Sequence, residues 1–579
     1  MNIFEEFKEE ILSHVSKFLV RENILGKVPL EKITVEPPRD RSFGELSTNA
    51  ALIVAQTIKI EPQKTAKELC SIIERDARVE SVDIAGPGFI NLQLKQDVWN
   101  RTLKQAYLKG YDFGRSRLGR GKKINVEYVS ANPTGPLHVG HTRGAVFGDA
   151  LSNLLEFSGF QVTREYYVND AGSQIDTLSR SVFLRYCELY GQTVEFGENS
   201  YPGEYLIEVA KSLSKKYSDQ LLPLEEEDWL PLIRQFSTEA MLSLIKADLK
   251  TIGIRMDEYY SEKKLCDAGK IDKAIDALEQ KGLIYEGKLP APKGKVTEDW
   301  EPRDQLLFKA TEFGDDVDRP MKKSDGDWTY FAPDVAYHYD KIERKFDKLI
   351  NVFGADHSGY VKRMKAAVAA LSNSEIDLDI KLCQLVRLFK DGKPYKMSKR
   401  EGNFVTLRDL VAEVGKDVVR FLMLTRRNDV PLDFDFDKAL EQSKDNAVFY
   451  VQYAHARCCS IIKKADQKDI ESNNLEIDSI DLSVLTSNSE RRIILKLCEW
   501  PRVVEQAAHS QEPHRIVFFL YDLASDIHSY QHEGKLNEEL RVLASDLTLM
   551  RARLVLIKVC RQIICSGLNI LGVTPLTKM

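Results

Sequence analysis

The pattern of hydrophobic and polar positions changes twice along the chain. Residues 1–112 mix helical and strand patterns and begin with an acidic amphipathic helix over Met1–Phe18. From Lys123, short β-branched runs alternate with helical patterns, and from Glu441 the apolar positions keep helical spacing almost throughout. This order predicts an α/β multidomain protein with an α+β N-terminal domain, a parallel-sheet, Rossmann-like nucleotide-binding domain and an all-α C-terminal bundle.

The domain boundaries that we predict follow these changes. Residues 124–130 predict a strand, a breaker cluster follows, a helix begins near Leu137, and a second strand spans Gln161–Val168. Such a strand–helix–strand unit builds parallel nucleotide-binding sheets. The predicted domains are residues 1–112, residues 123–385 with a charged helical insertion near 179–250, a connecting region 386–440, and residues 441–579.

Two histidines open the predicted helix of this unit. His138 and His141 share one face of its first turn, where free N–H groups and the helix dipole attract phosphate. Imidazole donors there could stabilise charge on a leaving pyrophosphate, and Gly140 would let a nucleotide lie close to the backbone. The alternative is a pair of ordinary helix-start residues. The preceding run Ser130–Pro136, S-A-N-P-T-G-P, favours the phosphate site.

A second basic run has a similar chemical meaning. Lys396, Met397, Ser398 and Lys399 lie between two glycines, Gly392 and Gly402. A loop with two ammonium groups could stabilise a triphosphate during transfer. The alternative is a solvated basic loop, because neighbouring residues are also basic.

Together, in this order, the two runs resemble the ATP-binding signatures of class I aminoacyl-tRNA synthetases. Longer runs extend the resemblance, nearly end to end, to the arginyl-tRNA synthetases. These runs are Phe43–Ala50, Ala85–Asn91, Val168–Gln174, Tyr330–His338, Gly354–Tyr360, Tyr450–Arg457 and Gly567–Gly572.

The resemblance implies a bacterial-type arginine–tRNA ligase. Such an enzyme uses ATP and Mg²⁺ to form arginyl-adenylate, transfers the arginyl group to the 3′-terminal adenosine of tRNA(Arg), and releases AMP and pyrophosphate. It further implies that ATP contacts His138, Gly140, His141 and the run Lys396–Lys399. Both histidines and both lysines would then be catalytic residues.

An arginine site must satisfy a planar guanidinium that is always charged and carries five donors. By resemblance, Asp334 contacts this group, with Tyr330 four residues before it. The alternatives are a turn carboxylate for Asp334 and core packing for Tyr330. The further arginine contacts that the resemblance implies are Glu127, Ser130, Asn132, His141 and His357, the last from an ungapped count.

The resemblance also implies tRNA contacts in the two terminal domains. Phe89 and Asn91 would stack on and hydrogen-bond to a nucleotide of the tRNA elbow, unless Phe89 is a core residue and Asn91 lies in a turn. The anticodon contacts would be Tyr450, Gln452, Tyr453 and Met579, with bundle core as the alternative for the tyrosines.

One departure from the family is informative. Many arginyl enzymes lack the second lysine of the Lys-Met-Ser-Lys loop and carry a lysine just before the histidine run. Here Gly135 occupies that earlier place and Lys399 is present, which agrees with the bacterial-type version.

Composition bears on the binding partners and on the cellular compartment that we expect. The net charge of −6 does not indicate nucleic acid globally, so tRNA would need local basic patches. Residues 551–579 hold five basic residues and no acidic one, which indicates either such a patch or a helix with a cationic end. The nine cysteines show no C-x-x-C spacing, so we expect no structural zinc and a reducing cytoplasm. We also expect no signal peptide, no apolar run of membrane length and, from the family, a monomer.

Two rival functions remain open at this point. A cysteinyl-type synthetase shares the general layout but would want a cysteine-rich zinc site. A synthetase-derived tRNA-binding protein without catalysis would be expected to lose signature residues, whereas both signatures are present.

Overall fold

The structure is a computed structural model that describes residues 2–21, 28–289, 304–323, 326–395, 405–443, 445–467 and 476–579. The chain forms two compact units. One consists of Met1–Ser116, Ser443–Ile570 and Thr574–Met579, and the other of Arg117–Gln442 and Leu571–Val573.

The N-terminal part of the first unit is a four-stranded antiparallel sheet, in the order β1-β2-β4-β3, with four helices. Its elements are α1 (Ile3–Arg21), β1 (Val35–Glu36), β2 (Leu46–Thr48), α2 (Ala50–Ile58), α3 (Pro62–Ile73), β3 (Val79–Ala85), β4 (Phe89–Leu94) and α4 (Gln96–Lys109).

The second unit is built on a five-stranded parallel sheet in the order β12-β11-β5-β6-β7. Two smaller three-stranded sheets have the orders β10-β9-β8 and β14-β13-β15. The elements of this unit are β5 (Lys123–Glu127), α5 (Val139–Phe157), β6 (Gln161–Val168), α6 (Ser173–Leu189), α7 (Tyr205–Tyr217), α8 (Glu226–Thr251), β7 (Glu258–Ser261), α9 (Glu262–Asp267), α10 (Lys270–Glu279), β8 (Ile284–Gly287), β9 (Gln305–Phe308), β10 (Arg319–Pro320), α11 (Phe331–Glu343), β11 (Lys348–Gly354), α12 (Val361–Ser372), β12 (Asp377–Cys383), β13 (Val386–Lys390), β14 (Lys393–Pro394), α13 (Leu407–Val414), α14 (Lys416–Met423), β15 (Leu432–Asp435) and α15 (Phe436–Leu440).

Four long helices make up the C-terminal part. They are α16 (Ala447–Asp466), α17 (Asn488–Ser510), α18 (His514–Leu536) and α19 (Leu547–Leu571). These elements confirm the predicted fold class: an α+β N-terminal part, a parallel sheet in the middle and a helical C-terminal part.

The last helix departs from the expectation that no apolar run reaches membrane length. By length and composition α19 could span a membrane, since an 18-residue window has a mean hydropathy of 1.7. However, 78% of that window is buried inside the protein. Burial of most of this helix explains its apolar composition, as in a core helix of a soluble protein.

The order of the parallel strands creates a crevice beside β5. The chain passes from β5 through α5 to β6 on one side, while β11 pairs with the other side of β5. Open α/β sheets bind ligands outside the carboxyl ends of strands at such a reversal. The ends of β5 and β11, at Glu127 and Gly354, therefore mark the expected site.

Helix α5 packs very closely on the residues that follow β5. A Cβ atom at Gly148 would lie 2.3 Å from Cγ of Tyr128, a fully buried side chain. At Gly144, one turn earlier, the nearest atom would be Cγ1 of Val352 at 4.0 Å. Gly148 therefore sets the approach of the helix to β5, whereas Gly144 does not.

This contrast predicts opposite effects of two alanine substitutions on stability. Gly148→Ala should lower the free energy of unfolding by about 1–3 kcal/mol or more, because the buried Tyr128 ring must move. Gly144→Ala should raise it by about 0.5–1 kcal/mol through helix propensity alone. Thermal unfolding of both variants measures the difference, and equal shifts would contradict the packing described here.

Candidate functional site

The turn that follows β5 is strained. Val129 has a φ of 71° and Ser130 a φ of 39°, in a region that costs a non-glycine residue about 1–3 kcal/mol. The Ser130 hydroxyl donates to Oε1 of Glu127 at 3.1 Å and accepts from the backbone N–H of Tyr167 at 3.1 Å. The strained turn thus fixes Ser130 beside the carboxylate at the end of β5.

A buried lysine holds the other oxygen of this carboxylate. Nζ of Lys341, on α11, donates to Oε2 of Glu127 at 2.7 Å, and the side chains are 0% and 5% exposed. Lys341 also reaches Oδ1 of Asn351 at 3.3 Å. Removing one partner of such a pair leaves an uncompensated buried charge, so the pair fixes the position of Glu127.

Buried polar and charged side chains also lie on β6 and α11, next to the Glu127–Lys341 pair. Hydrogen bonds from Arg344 and Tyr337, with the charges of Lys341 and Arg344, outweigh burial and lower the pKa of Glu165 to about 2. Burial and the charge of Lys341 lower the pKa of His338 to about 3. Glu165 is therefore ionised and His338 neutral, and both support the residues that face the crevice.

Asp334 lies in the first turn of α11 among other carboxylates. Burial raises its pKa to about 8, with further contributions from the negative charges of Glu262 and Glu127 that Arg363 and Lys341 only partly offset. Burial also raises the pKa of Glu262, although a hydrogen bond with Tyr167 opposes this shift. The negative charges of Glu262 and Glu127 thus both act on the carboxyl group of Asp334.

Sequence reasoning missed Glu262. It opens α9 directly after the short strand β7, at the same carboxyl edge as Glu127. The signal was the run Glu258–Ser261, a four-residue strand pattern after a long charged helix. An acidic residue that follows a strand of a parallel sheet is a candidate for the ligand crevice.

The remaining predicted arginine contacts make other contacts in this structure. Tyr330 directly precedes α11 and is 73% exposed, so core packing, the alternative for this residue, is wrong. Nδ2 of Asn132 donates to Oε1 of Gln174 at 2.8 Å. The half-exposed His357 has Nε2 3.6 Å from Oδ2 of Asp356.

The histidine pair caps α5. Nδ1 of His138 accepts from the backbone N–H of Gly140 at 3.1 Å, and Nδ1 of His141 accepts from the backbone N–H of His138 at 3.3 Å. The two rings stack with centroids 3.9 Å apart. Because Nδ1 of each neutral ring is an acceptor, the proton sits on Nε2, which makes each Nε2 a donor.

Glycine at position 140 has a reason that the sequence did not reveal. A Cβ atom there would lie 2.8 Å from Cε1 of His138. The small residue therefore preserves the ring position of His138, in addition to the backbone access inferred from the motif.

The run Lys396–Lys399 lies outside the described residues, but the chain that follows it pairs with the histidine motif. The Val139 N–H donates to the carbonyl of Val405 at 3.2 Å, and the Leu407 N–H donates to the carbonyl of Leu137 at 2.8 Å. His138 and Thr406 form an antiparallel bridge. Residues 405–407 thus lie directly beside the start of α5.

The predicted tRNA residues of the N-terminal part lie on β4. Phe89 is 41% exposed and Asn91 is 4% exposed. The alternative that Phe89 is core and Asn91 lies in a turn is therefore wrong on both counts.

In the C-terminal part the predicted residues differ in exposure. Tyr453 is 40% and Met579 48% exposed, while the rings of Tyr450 and Tyr453 lie 4.5 and 5.5 Å from that of His528. Gln452 is buried, and its Nε2 donates to the carbonyl of Thr574 at 2.8 Å. Gln452 therefore holds the C-terminal segment in place.

The basic end of the chain is less basic at its surface than its sequence indicates. Arg553 is buried and forms an ion pair with Glu490 at 2.6 Å, and Lys558 is also buried. Two of the five charges that could form a tRNA patch are therefore inside the bundle.

Three family models match the chain. They are described as "Arginyl tRNA synthetase N terminal domain" over residues 5–94, "tRNA synthetases class I (R), catalytic domain" over 102–200 and 293–462, and "DALR anticodon binding domain" over 451–579.

Full-length relatives and solved structures point the same way. The arginine–tRNA ligases of Ruegeria pomeroyi and Roseobacter denitrificans are 55% and 54% identical, with 100% of each chain covered. A putative arginyl-tRNA synthetase structure from Campylobacter jejuni is 32% identical with a TM-score of 0.73, covering 84% of this chain and all of its own. The Thermus thermophilus arginyl-tRNA synthetase, 21% identical with a TM-score of 0.74 over 99% of this chain and 100% of its own, shares the fold.

The raised pKa of Asp334 predicts how stability depends on pH. Between the ordinary value of 3.8 and about 8, the unfolded chain releases the Asp334 proton while the folded protein keeps it. The wild type therefore loses stability over this window relative to Asp334→Asn. The gain in melting temperature of the variant should grow from pH 5 to 8 and then level off, and a gain that is independent of pH would contradict the assignment.

Proposed function

Because the chain belongs to the arginyl-tRNA synthetase family, we propose that its arginine site is the anionic pocket at the carboxyl edge of the parallel sheet. The protein activates L-arginine with ATP to arginyl-adenylate, releasing pyrophosphate, and transfers the arginyl group to the 3′-terminal adenosine of tRNA(Arg), releasing AMP. It is a class I enzyme of the bacterial type.

One observation supports the assignment of the pocket: burial and repulsion by the negative charges of Glu262 and Glu127 raise the pKa of Asp334 there. A guanidinium would relieve this repulsion and give Asp334 and Glu262 a planar, charge-assisted partner. Glu127, already fixed by Lys341 and Ser130, is suited to the α-ammonium group. Lysine would offer one ammonium to groups that need a fork of donors, and unpaired buried groups penalise such a substrate strongly.

The rim of the pocket would complete the arginine contacts. Tyr330 stands four residues before Asp334 and therefore on the same side of α11. Ser130, Asn132, His141 and His357 remain proposed contacts, with Asn132 and His357 released from Gln174 and Asp356 when arginine binds.

The proposed ATP site is the start of α5. Nε2 donors of His138 and His141, together with the N-terminal dipole, would stabilise charge as the arginine carboxylate oxygen attacks the α-phosphorus and the bond to the bridging oxygen breaks. Lys396 and Lys399, with Met397 and Ser398 between them, would contact the same phosphates, and Gly140 keeps His138 in place.

Magnesium belongs to this proposal as part of the ATP substrate. Within the part of the chain that the structure describes, no group of three His, Cys, Asp or Glu side chains could hold a metal ion. The triphosphate oxygens would therefore supply most of the magnesium ligands.

The other proposed assignments concern tRNA. Residues 1–112, with Phe89 and Asn91, would contact the elbow, and residues 441–579, with Tyr450, Tyr453 and Met579, the anticodon. Gln452 would act through the C-terminal segment that it holds. The catalytic residues 123–385, the insertion near 179–250 and the connecting residues 386–440 would form the aminoacylation centre of a cytoplasmic monomer.

Pyrophosphate exchange tests the substrate. With tRNA(Arg) present, ATP–pyrophosphate exchange should occur with arginine and with none of the other nineteen amino acids, because the pocket is anionic and suits a forked cation. Exchange without tRNA should be much weaker, as the family resemblance implies. Exchange driven by a neutral amino acid would refute the pocket assignment.

Proton release tests Asp334 directly. Since its carboxyl holds a proton up to about pH 8, arginine must displace that proton. The arginine dissociation constant should fall about tenfold per pH unit from pH 6 to 7.5, with about one proton released at pH 7. Calorimetry in buffers of different ionisation enthalpy measures both quantities.

The control for this measurement is Asp334→Asn. The variant should bind arginine far more weakly, release no proton and leave the ATP requirement nearly unchanged. Proton release that persists in the variant would assign the titration to another group.

A further inference from the structure

A buried carboxylate outside the proposed site touches both segments that frame it. Asp248 lies near the end of α8 and its side chain is 1% exposed. The matched stretches of the catalytic-domain model, 102–200 and 293–462, leave this helix out. None of the roles assigned above uses Asp248.

Each carboxylate oxygen of Asp248 has its own partner. Oδ2 accepts from the backbone N–H of Leu137 at 3.1 Å, and Oδ1 accepts from Nη2 of Arg408 at 2.7 Å. Burial raises the pKa of Asp248, and the bonds from Leu137 and Arg408 oppose that shift. The carboxylate therefore depends on both partners to remain buried.

These partners begin the two helices that meet at the histidine pair. Leu137 directly precedes His138, the cap of α5, and Arg408 is the second residue of α13. The cap of α13, Thr406, is the residue bridged to His138. Asp248 is thus a third connection between two chain segments that also share the backbone bonds Val139–Val405 and Leu407–Leu137.

The insertion makes a second contact with the same loop. The hydroxyl of Tyr205, the first residue of α7, donates to the carbonyl of Thr134 at 2.7 Å. A Cβ atom at Gly135 would lie 3.1 Å from that hydroxyl. Helices of the insertion therefore hold both ends of residues 134–137, immediately before the histidine pair.

We propose that Asp248 is a positioning residue for ATP, which holds the histidine-bearing turn of α5 against the start of α13. This inference rests on the proposed role of His138 and His141 at the phosphates. Catalytic groups that move by about 1 Å can lose roughly a hundredfold in rate, so a buried connection at this point affects chemistry as well as stability.

The test measures ATP–pyrophosphate exchange with tRNA(Arg) present in every reaction. The exchange kcat is normalised to the concentration of active sites, which is determined by titrating the sites that form adenylate. Asp248→Ala should lower the exchange kcat about a hundredfold and raise the KM for ATP, with the KM for arginine changed less than twofold. Asp248→Asn keeps an oxygen that can accept from the Leu137 N–H but replaces the carboxylate oxygen at Arg408 by a neutral amide. The kcat of this variant should therefore fall about tenfold. Asp228→Asn, an exposed site on the same helix, is the matched control.

Arg408 variants separate positioning from folding. Arg408 is half exposed, and replacing it leaves the hydrogen bond between Leu137 and Asp248 intact, so Arg408→Met should fold. Its kcat should fall about as much as that of Asp248→Asn. Arg408→Lys should recover part of that loss. The kcat of the double variant, Asp248→Asn with Arg408→Met, should be no lower than that of either single variant, because both substitutions remove the same connection.

Two results would overturn the inference. Full kcat per titrated site in the Asp248 and Arg408 variants, with only a lower melting temperature, would mean that the contact is structural. Equal rises in the KM for arginine and for ATP would place the effect elsewhere. The variants His138→Asn and His141→Asn test the proposed phosphate site separately from the role of Asp248. If they leave the kcat and the KM for ATP unchanged, the proposed phosphate site itself is wrong.

Discussion

The proposed arginine pocket depends on holding negative charges close to one buried carboxyl group. Burial and the negative charges of Glu262 and Glu127 raise the pKa of Asp334, and the charges of Arg363 and Lys341 offset only part of this shift. In the absence of substrate a proton on Asp334 relieves the rest. At the proposed site a cationic substrate would replace that proton, so arginine binding would offset the cost of ionising the buried carboxyl group.

A second polar layer makes this arrangement possible inside a parallel sheet, where strands are usually apolar. Glu165 lies beside Arg344, Tyr337 and Asn125, and Asn351 lies beside His338 and Lys341. These bonds satisfy charges that burial would otherwise penalise. The layer also keeps Lys341 paired with Glu127, so the position of the proposed pocket follows from the packing of α11 on the sheet.

One strand–turn–helix segment connects the proposed arginine site with the proposed ATP site. Glu127 ends β5, and His138, eleven residues later, caps the start of α5. Between them, the strained Val129 and Ser130 turn the chain, and Gly148 lets α5 lie against Tyr128. The proposed amino-acid and phosphate sites are therefore joined by one short connection, which suits a reaction that joins a carboxylate to an α-phosphorus.

The sequence predicted the elements with strong local signals. Strand β6 has the predicted bounds, and α5 begins two residues after the predicted start. The sequence signal for Glu262 is weak, because β7 has only four residues and follows a long charged helix. Charged residues such as Asp248 and Arg553 have the pattern of a solvated face, and only tertiary contacts bury them. The lysines at 396 and 399 rest on the motif alone.

The first compact unit is assembled from both ends of the chain, and this has a consequence for synthesis. Glu45 of the N-terminal part accepts hydrogen bonds from Trp99 and, across 446 positions, from Arg491 of α17. Residues 117–442 must all be translated before the second half of this unit begins to appear. At about 5–20 residues per second this takes roughly 15–65 s. During that interval the N-terminal segment lacks the partner that Arg491 and its helix supply in the folded unit.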